Sequence, residues 1–404
     1  MTTAPRLIRF PPERVLEDAA FGRGIIPSRL YALLLPVWEV EIRADITEGE
    51  DFSLIDRFLE RGLRHGGLHT VDELAAFFAL DRALVAQAVR FLAAIGHVEE
   101  SVGRLSLTPL GQRSVDDDVR YVITRQDRRK LYFEALSCSP LTRAHYDQDV
   151  VTLLSGESLE RALRADRYPR FTPIYATSGF DRAALQRLVG SKDRARFNLP
   201  VALDAVESLG EELVFLPVYL VRGRAGLLVY GQAEAGLAPD PELSELCGRT
   251  PELLSALDHE EATDDADERV LKVARNWLRQ RGFDGVAPEQ DDDGTWSVSL
   301  PATAFGADGL PVSRIGTYRM AGTRFFRVDC PDDTQRKHAL LKRLDQNLGA
   351  RRQVTRQEAE ELVARLSRQL RLEAPTLSRL LGGAGRTGLS GLEAQLTRLE
   401  KEQR

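Results

Sequence analysis

Residues 70–96 read TVDELAAFFALDRALVAQAVRFLAAIG and contain the clearest helix signals in the chain. Thr70 is a typical N-cap residue, and Glu73, three residues later, completes the pattern of a capping box. Asp81 is typical of the start of another helix, which Gly96 ends. The pattern therefore predicts two short helices that are joined by a tight turn.

The flanking residues extend this pattern on both sides. Apolar residues recur at helical spacing along residues 52–65 and are followed by two glycines, which predicts a preceding helix. Beyond Gly96, residues 97–100 and 104–108 are typical of strands, and a turn that contains Gly103 joins them. The sequence thus predicts three helices followed by a β-hairpin.

This order of elements resembles the winged helix-turn-helix superfamily of bacterial transcription regulators over about residues 51–114. The segments that carry the resemblance are Thr70–Ala75 and Leu105–Gly111. The resemblance implies a DNA-binding fold in which the third helix enters the major groove. Winged helices also serve as protein-interaction modules, so the fold alone leaves both functions open.

The third helix supplies the candidate DNA contacts. Its apolar residues Val85, Val89 and Leu92 share one face, which we expect to lie in the core. The residues predicted to face outward are Arg82, Ala83, Ala86, Gln87 and Arg90. Arginine can pair with guanine, glutamine with adenine, and alanine can contact a thymine methyl group. The hairpin adds Arg104 to this predicted site, and the alternative is an ordinary solvated helix face.

A second candidate site follows the hairpin. Its basic residues are Arg125, Arg128, Arg129 and Lys130, and Tyr121, Tyr132 and Phe133 are interleaved with them. Such a cluster can bind phosphates or stack on a base. The alternative, which we favour, places the aromatic residues in the core of a strand pair and the basic residues in a solvated turn.

The charge balance supports a second hypothesis for the winged helix. The chain has a formal net charge of −6, which excludes a histone-like cationic protein. Residues 52–114 contain seven arginines and seven carboxylates, so this segment is neutral. Because phosphate contacts dominate DNA affinity, a neutral segment also fits a scaffold subunit whose winged helix binds protein.

Along the whole chain, the sequence predicts an α+β protein, with an N-terminal winged helix-turn-helix, mixed α/β regions and a helical C-terminal tail. The predicted parts are an N-terminal extension with a strand (1–48), the winged helix (49–117), a central α+β domain (118–257), an acidic linker (258–268), a small α+β domain (269–349) and the helical tail (350–404). This layout is similar to that of the WYL-type bacterial regulators, although the Trp-Tyr-Leu signature is absent.

The C-terminal tail carries Leu389, Leu392, Leu396 and Leu399 at helical spacing. A helix of about three turns is unstable alone in water, so this face must dock on something. We expect a homodimer to which the tail contributes, and the alternative is docking within the chain against residues 268–349.

No catalytic or metal-binding motif is present. The cysteines Cys138, Cys247 and Cys330 are scattered, which fits a reducing cytoplasm and provides neither a disulfide framework nor a metal site. We therefore expect no cofactor, and a non-catalytic role is favoured over an enzyme with an unrecognised site in residues 118–257. The predicted function is that of a transcription regulator, or of an accessory component of a bacterial DNA-linked defence or repair system. The expected partners are double-stranded DNA, another protein or a second copy of the chain, without a membrane.

Overall fold

The structure is a computed structural model, and it describes residues 7–164, 169–200, 202–224, 226–234, 236–263, 266–306, 309–349 and 354–401. Within these ranges the protein is mixed α/β with a helical C-terminal region. The helices are α1 Pro12–Glu17, α2 Leu54–His65, α3 Val71–Phe78, α4 Arg82–Ala94, α5 Pro109–Asp117, α6 Gly156–Arg164, α7 Arg182–Val189, α8 Pro241–Arg249, α9 Pro251–Thr263, α10 Ala266–Arg279, α11 Asp333–Leu348, α12 Arg356–Gln369, α13 Leu377–Thr387 and α14 Ser390–Lys401. The strands are β1 Pro27–Glu50, β2 Val98–Ser101, β3 Arg104–Leu107, β4 Arg120–Glu134, β5 Ser139–Pro140, β6 Thr172–Pro173, β7 Ala202–Gly223, β8 Gly226–Tyr230, β9 Glu289–Gln290, β10 Trp296–Ser299, β11 Thr317–Ala321 and β12 Arg324–Asp329.

The chain divides into two compact units. The larger one, called the major unit here, comprises Met1–Pro36, Gln148–Ala176 and Phe215–Arg404. The minor unit comprises Val37–Asp147 and Thr177–Val214. This division differs from the predicted one, because residues 118–257 are shared between the units and residues 269–349 and 350–404 belong to the same unit.

In the minor unit, the helices α2, α3 and α4 lie in the chain between β1 and β4, and these two strands pair as an antiparallel ladder. Residues of β1 from Val37 onward pair with β4, from Val37 opposite Glu134 to Glu50 opposite Arg120. One face of this ladder packs its apolar side chains against α7. The helices α2, α3 and α4 and the hairpin β2–β3 form a separate core around Leu59, Leu74 and Val85. The predicted order of three helices and a hairpin is therefore present between β1 and β4.

In the major unit, a four-stranded sheet has the order β11-β12-β10-β9. Strand β12 pairs antiparallel with β11 and parallel with β10. Helix α10 packs on this sheet through Val270, Ala274 and Leu278, and helices α11 to α14 complete the same core. Strand β11 begins at Thr317, after a short 3-10 turn formed by residues 312–314.

The acidic stretch 258–268 is helical wherever the structure describes it. Residues 258–263 lie in α9 and residues 266–268 begin α10, whereas residues 264–265 lie outside the described ranges. Asp267 and Glu268 occupy the first turn of α10, where carboxylates favour the positive end of the helix dipole. An acidic composition here stabilises a helix start instead of producing a linker.

The leucines of the C-terminal tail dock within the major unit. Leu392, Leu396 and Leu399 are almost fully buried in the core that also contains Leu344 of α11, and Leu389 is partly buried against it. A buried side chain is not available to a second copy of the chain. The tail therefore docks within its own chain, which was the alternative prediction, and it supplies core residues.

We predict that Leu396→Ala lowers the free energy of unfolding by roughly 2–5 kcal/mol, because it leaves a cavity in a filled core. Chemical denaturation of the full chain measures this loss. Leu389→Ala, at a partly buried position of the same tail, should cost clearly less. A Leu396→Ala protein as stable as the wild type would contradict the intramolecular docking.

Candidate nucleic-acid interface

The starts of α3 and α4 are fixed by the side chains that the sequence indicates. The Thr70 hydroxyl accepts a hydrogen bond from the Glu73 amide at 3.1 Å. The Glu73 carboxylate accepts from the His69 amide at 2.7 Å, one residue earlier than in a standard capping box. The Asp81 carboxylate accepts from the amide of Ala83 at 2.7 Å. These caps set where α4 begins and therefore which of its residues face outward.

Helix α4 presents most of the predicted contact residues to solvent. Val85, Val89 and Leu92 are buried, as expected for the core face. Ala83, Gln87 and Arg90 are exposed and follow one stripe at four- and three-residue spacing. Arg82 is also exposed at the start of the helix, whereas Ala86 is half-buried.

The hairpin β2–β3 has an exposed tip that is not basic. Ser101 pairs with Arg104 at the end of the ladder, and Val102 and Gly103 between them have positive φ angles of 51° and 74°. The Val102 side chain is fully exposed. Arg104 is exposed as well, but Glu99 and Glu100 on β2 are also exposed, so the hairpin carries more negative than positive charge.

Most arginines between α2 and α5 are neutralised by carboxylates of the same unit. Arg82 Nε lies 2.6 Å from Asp72 Oδ1. The other ion pairs are Arg57 and Arg61 with Asp118, Arg64 with Asp116, and Arg113 with Asp117. Exposed ion pairs add little stability, but they remove the positive potential that phosphates need. Within residues 54–117, only Arg90 and Arg104 are arginines for which the described residues provide no ion-pair partner.

The second predicted cluster is neutralised too, and it lies in a strand instead of a turn. Arg128, Arg129 and Lys130 belong to β4, where they face β1; the Arg125 side chain lies outside what the structure describes. The ion pairs are Arg128 with Glu41 at 3.6 Å, Arg129 with Asp127 and Glu48, and Lys130 with Glu39 at 2.5 Å. The hydrogen bond to Glu39 raises the pKa of Lys130. The carboxylates of β1 therefore explain why this strand is basic.

A buried histidine ties the helices to β4. The side chains of His97 and Glu60 are both fully buried, and His97 Nδ1 lies 2.5 Å from a Glu60 carboxylate oxygen. The other ring nitrogen lies 2.5 Å from the carbonyl oxygen of Tyr121. Burial lowers the pKa of His97, but the hydrogen bonds to Glu60 and Tyr121 outweigh it and leave the pKa above its usual value. His97 therefore joins α2, the start of the hairpin and the start of β4.

We predict that this contact makes the stability of the protein depend on pH. A folded-state pKa above the unfolded value of about 6.5 stabilises the fold fully below that pH, and the stabilisation is lost as the pH rises through the folded pKa. The charged groups that face His97 are Glu60 and Arg120. The free energy of unfolding of the wild type should therefore exceed that of His97→Gln most at low pH.

Denaturation curves between about pH 5.5 and pH 9 measure this difference. His65→Gln, at the exposed end of α2, is the matched control and should show no pH-dependent loss. A difference between wild type and His97→Gln that grows as the pH rises would show that His97 is neutral in the folded protein.

The major unit carries a row of cations that the sequence analysis did not select. Arg269, Lys272, Arg275 and Arg279 line a cleft of about 710 Å³ along α10, together with Glu268 and Asn276. Arg279 pairs with Asp284 at 3.8 Å. Lys272 and Arg275 are exposed and make no ion pair with a described residue. The signal for this row was present as basic residues at helical spacing, but the acidic stretch just before it hides the local charge.

Three further arginines lie close together beyond the end of α10. The pKa of Arg281 is lowered, first by burial and then by the nearby charges of Arg319 and Arg314. Arg319 and Arg314 therefore act on Arg281 as like charges. Positive side chains are thus grouped here, although the chain as a whole is negative.

Comparison of the chain with protein-family models, curated proteins and solved structures finds no match. Among the described residues, no cluster of three or more His, Cys, Asp or Glu side chains could hold a metal ion. None of the described helices has the length and apolar character needed to cross a membrane.

Proposed function

We propose that residues 54–117 form a winged helix and that the protein is a cytoplasmic DNA-associated regulator or accessory protein. Support for the fold is the chain order α2, α3, α4, β2, β3 with one shared core. Support for DNA association is the row of cations on α10, which is the observation that carries the proposal.

The α10 row fits the backbone of duplex DNA. From Arg269 to Arg279 the helix rises by about 15 Å, while phosphates recur about every 3.4 Å of axis on each strand. Unpaired, exposed cations such as Lys272 and Arg275 can bind phosphates without first giving up a carboxylate partner. This row therefore supplies the sequence-independent affinity.

The winged helix contributes fewer phosphate contacts under this proposal. Arg82 is already paired with Asp72, which leaves Arg90 and Arg104 as the available arginines. Once the α10 row holds the DNA backbone, base edges can be approached by the exposed stripe of α4, which is formed by Ala83, Gln87 and Arg90.

We predict that Lys272→Gln combined with Arg275→Gln weakens binding to a random DNA duplex and lowers the slope of log affinity against log salt by about two. Fluorescence anisotropy over a series of salt concentrations measures both quantities. The matched control is Arg368→Gln with Arg379→Gln, which removes two exposed charges of the same unit and should leave the slope unchanged.

The corresponding double substitution in the proposed winged helix is Arg90→Gln with Arg104→Gln. We expect it to have a smaller effect on the slope of log affinity against log salt. A large effect of this pair together with no effect of the α10 pair would place the backbone contacts on the winged helix. A wild-type protein without measurable DNA affinity at low salt would refute the proposal.

A second role, as a protein-interaction module, is favoured by an exposed apolar patch on α2 and α3. Leu54 and Phe77 are 68% and 66% exposed, and Phe58 is 45% exposed. Phe78 joins the patch, because its ring centroid lies 6.1 Å from that of Phe58 and 4.9 Å from that of Phe77. Exposed clusters of large apolar side chains mark interaction surfaces.

We assign this aromatic patch to a second copy of the chain. The patch is bordered by ion pairs of the same unit, Arg61 with Asp118 beside it on α2 and Asp72 with Arg82 before it on α3. A surface with both charges beside one apolar centre can complement itself across a two-fold axis. The homodimer expected from the sequence would then use the aromatic patch instead of the C-terminal tail.

We predict that light scattering gives a dimer for the wild type at micromolar concentration and a monomer for Phe58→Ser combined with Phe77→Ser. Leu84→Ser, at an exposed apolar position of α4, is the control and should stay dimeric. A monomeric wild type would exclude this role of the patch.

A further inference from the structure

A cavity of about 570 Å³ opens within the major unit, between α1, the turn before β11, and helices α11 and α12. Its volume lies in the range of small-molecule sites. Four arginines line it, Arg14, Arg314, Arg319 and Arg343, against two carboxylates, Glu13 and Glu17. The lining thus has an excess of positive charge.

Arg343 is one of the residues that line this cavity. It comes from α11 and is only 7% exposed. One terminal nitrogen of its guanidinium donates to the carbonyl oxygens of Ser313 and Ile315, which fixes the group against the turn before β11. The other terminal nitrogen is buried and has no hydrogen-bond partner among the described residues. Buried donors without an acceptor are rare in native proteins, and each one calls for an explanation.

The two carboxylates offset only part of the positive charge of the four arginines. A carboxylate oxygen of Glu17 lies 3.2 Å from a guanidinium nitrogen of Arg14, so this carboxylate also pairs with Arg14. Burial raises the pKa of Glu17, although Arg343 and Arg14 oppose this effect. Burial also lowers the pKa of Arg343 to about 10, so its guanidinium is still charged at neutral pH.

Arg314 and Arg319 face the cavity from the other side. No carboxylate of the described residues pairs with either of them, and both contribute repulsion to Arg281. A bound anion would relieve this repulsion and would accept the free hydrogen bond of Arg343. Gln346, Asn347 and Gln369 also line the cavity. The amide nitrogens of Asn347 and Gln369 each donate one hydrogen bond to a backbone carbonyl, of Arg343 and Gly316, so the Gln346 amide is the best placed to bind the uncharged part of a ligand.

We propose that this cavity binds a phosphate monoester of nucleotide size, with Arg343, Arg314 and Arg319 holding the phosphate. Guanidinium groups match phosphate oxygens in geometry and charge. The volume exceeds the needs of a lone phosphate ion, and the side-chain amides provide both donors and acceptors for the rest of the molecule.

Isothermal titration of the full chain with adenosine 5′-monophosphate, adenosine and inorganic phosphate tests the proposal. We expect adenosine 5′-monophosphate to bind at least tenfold more tightly than either of the other two compounds. Arg314→Gln and Arg319→Gln should each weaken its binding at least tenfold, and Arg379→Gln, an exposed control on α13, should not. Arg343→Gln should abolish binding, with circular dichroism confirming that it folds.

Three results would overturn the proposal. The first is the absence of binding by any phosphate compound to the folded wild type at millimolar concentration. The second is binding that Arg314→Gln and Arg319→Gln leave unchanged. The third is at least tenfold tighter binding of a 5′-phosphorylated oligonucleotide than of adenosine 5′-monophosphate, which would assign the cavity to a DNA end. These outcomes do not depend on the duplex affinity of α10, which is measured separately with the Lys272 and Arg275 variants.

Discussion

The contact between His97 and Glu60 determines how the helices of the minor unit are held to its ladder. Both side chains are fully buried, and the imidazole also reaches the Tyr121 carbonyl where β4 begins. Removing one member of such a buried pair typically costs about 3–5 kcal/mol, because the other is left without compensation. Both ring nitrogens are engaged, so His97 acts in the structure and is not a free base or metal ligand.

A second constraint is the extent to which the positive side chains of each unit are paired with carboxylates. In the minor unit, carboxylates of β1, α3 and the end of α5 pair with most of the arginines, so the positive residues mainly hold elements together. In the major unit, Lys272, Arg275, Arg314 and Arg319 have no carboxylate partner among the residues that the structure describes. Binding an anion at these four side chains therefore requires no described ion pair to break. This difference is why we assign the backbone contacts to α10.

The sequence predicts features that depend on near neighbours and misses those that depend on distant ones. The caps at Thr70 and Asp81 are local, and the structure confirms them. The role of Lys130 depends on Glu39, about ninety residues earlier in the chain, and no local pattern reveals that partner. The spacing of the tail leucines predicts an apolar face but not the surface that it meets. The cavity around Arg343 is built from four separate segments, so only the fold brings its residues together.

We propose that the major unit, through α10, carries the affinity for DNA. Hydrogen–deuterium exchange of the full chain with and without a random DNA duplex tests this claim most directly, because it locates the contact without any substitution. We expect slower exchange in peptides that cover α10 and the following residues to Arg281, with little change in β4. Protection confined to α4 and the β2–β3 hairpin, or no protection in any peptide, would contradict it.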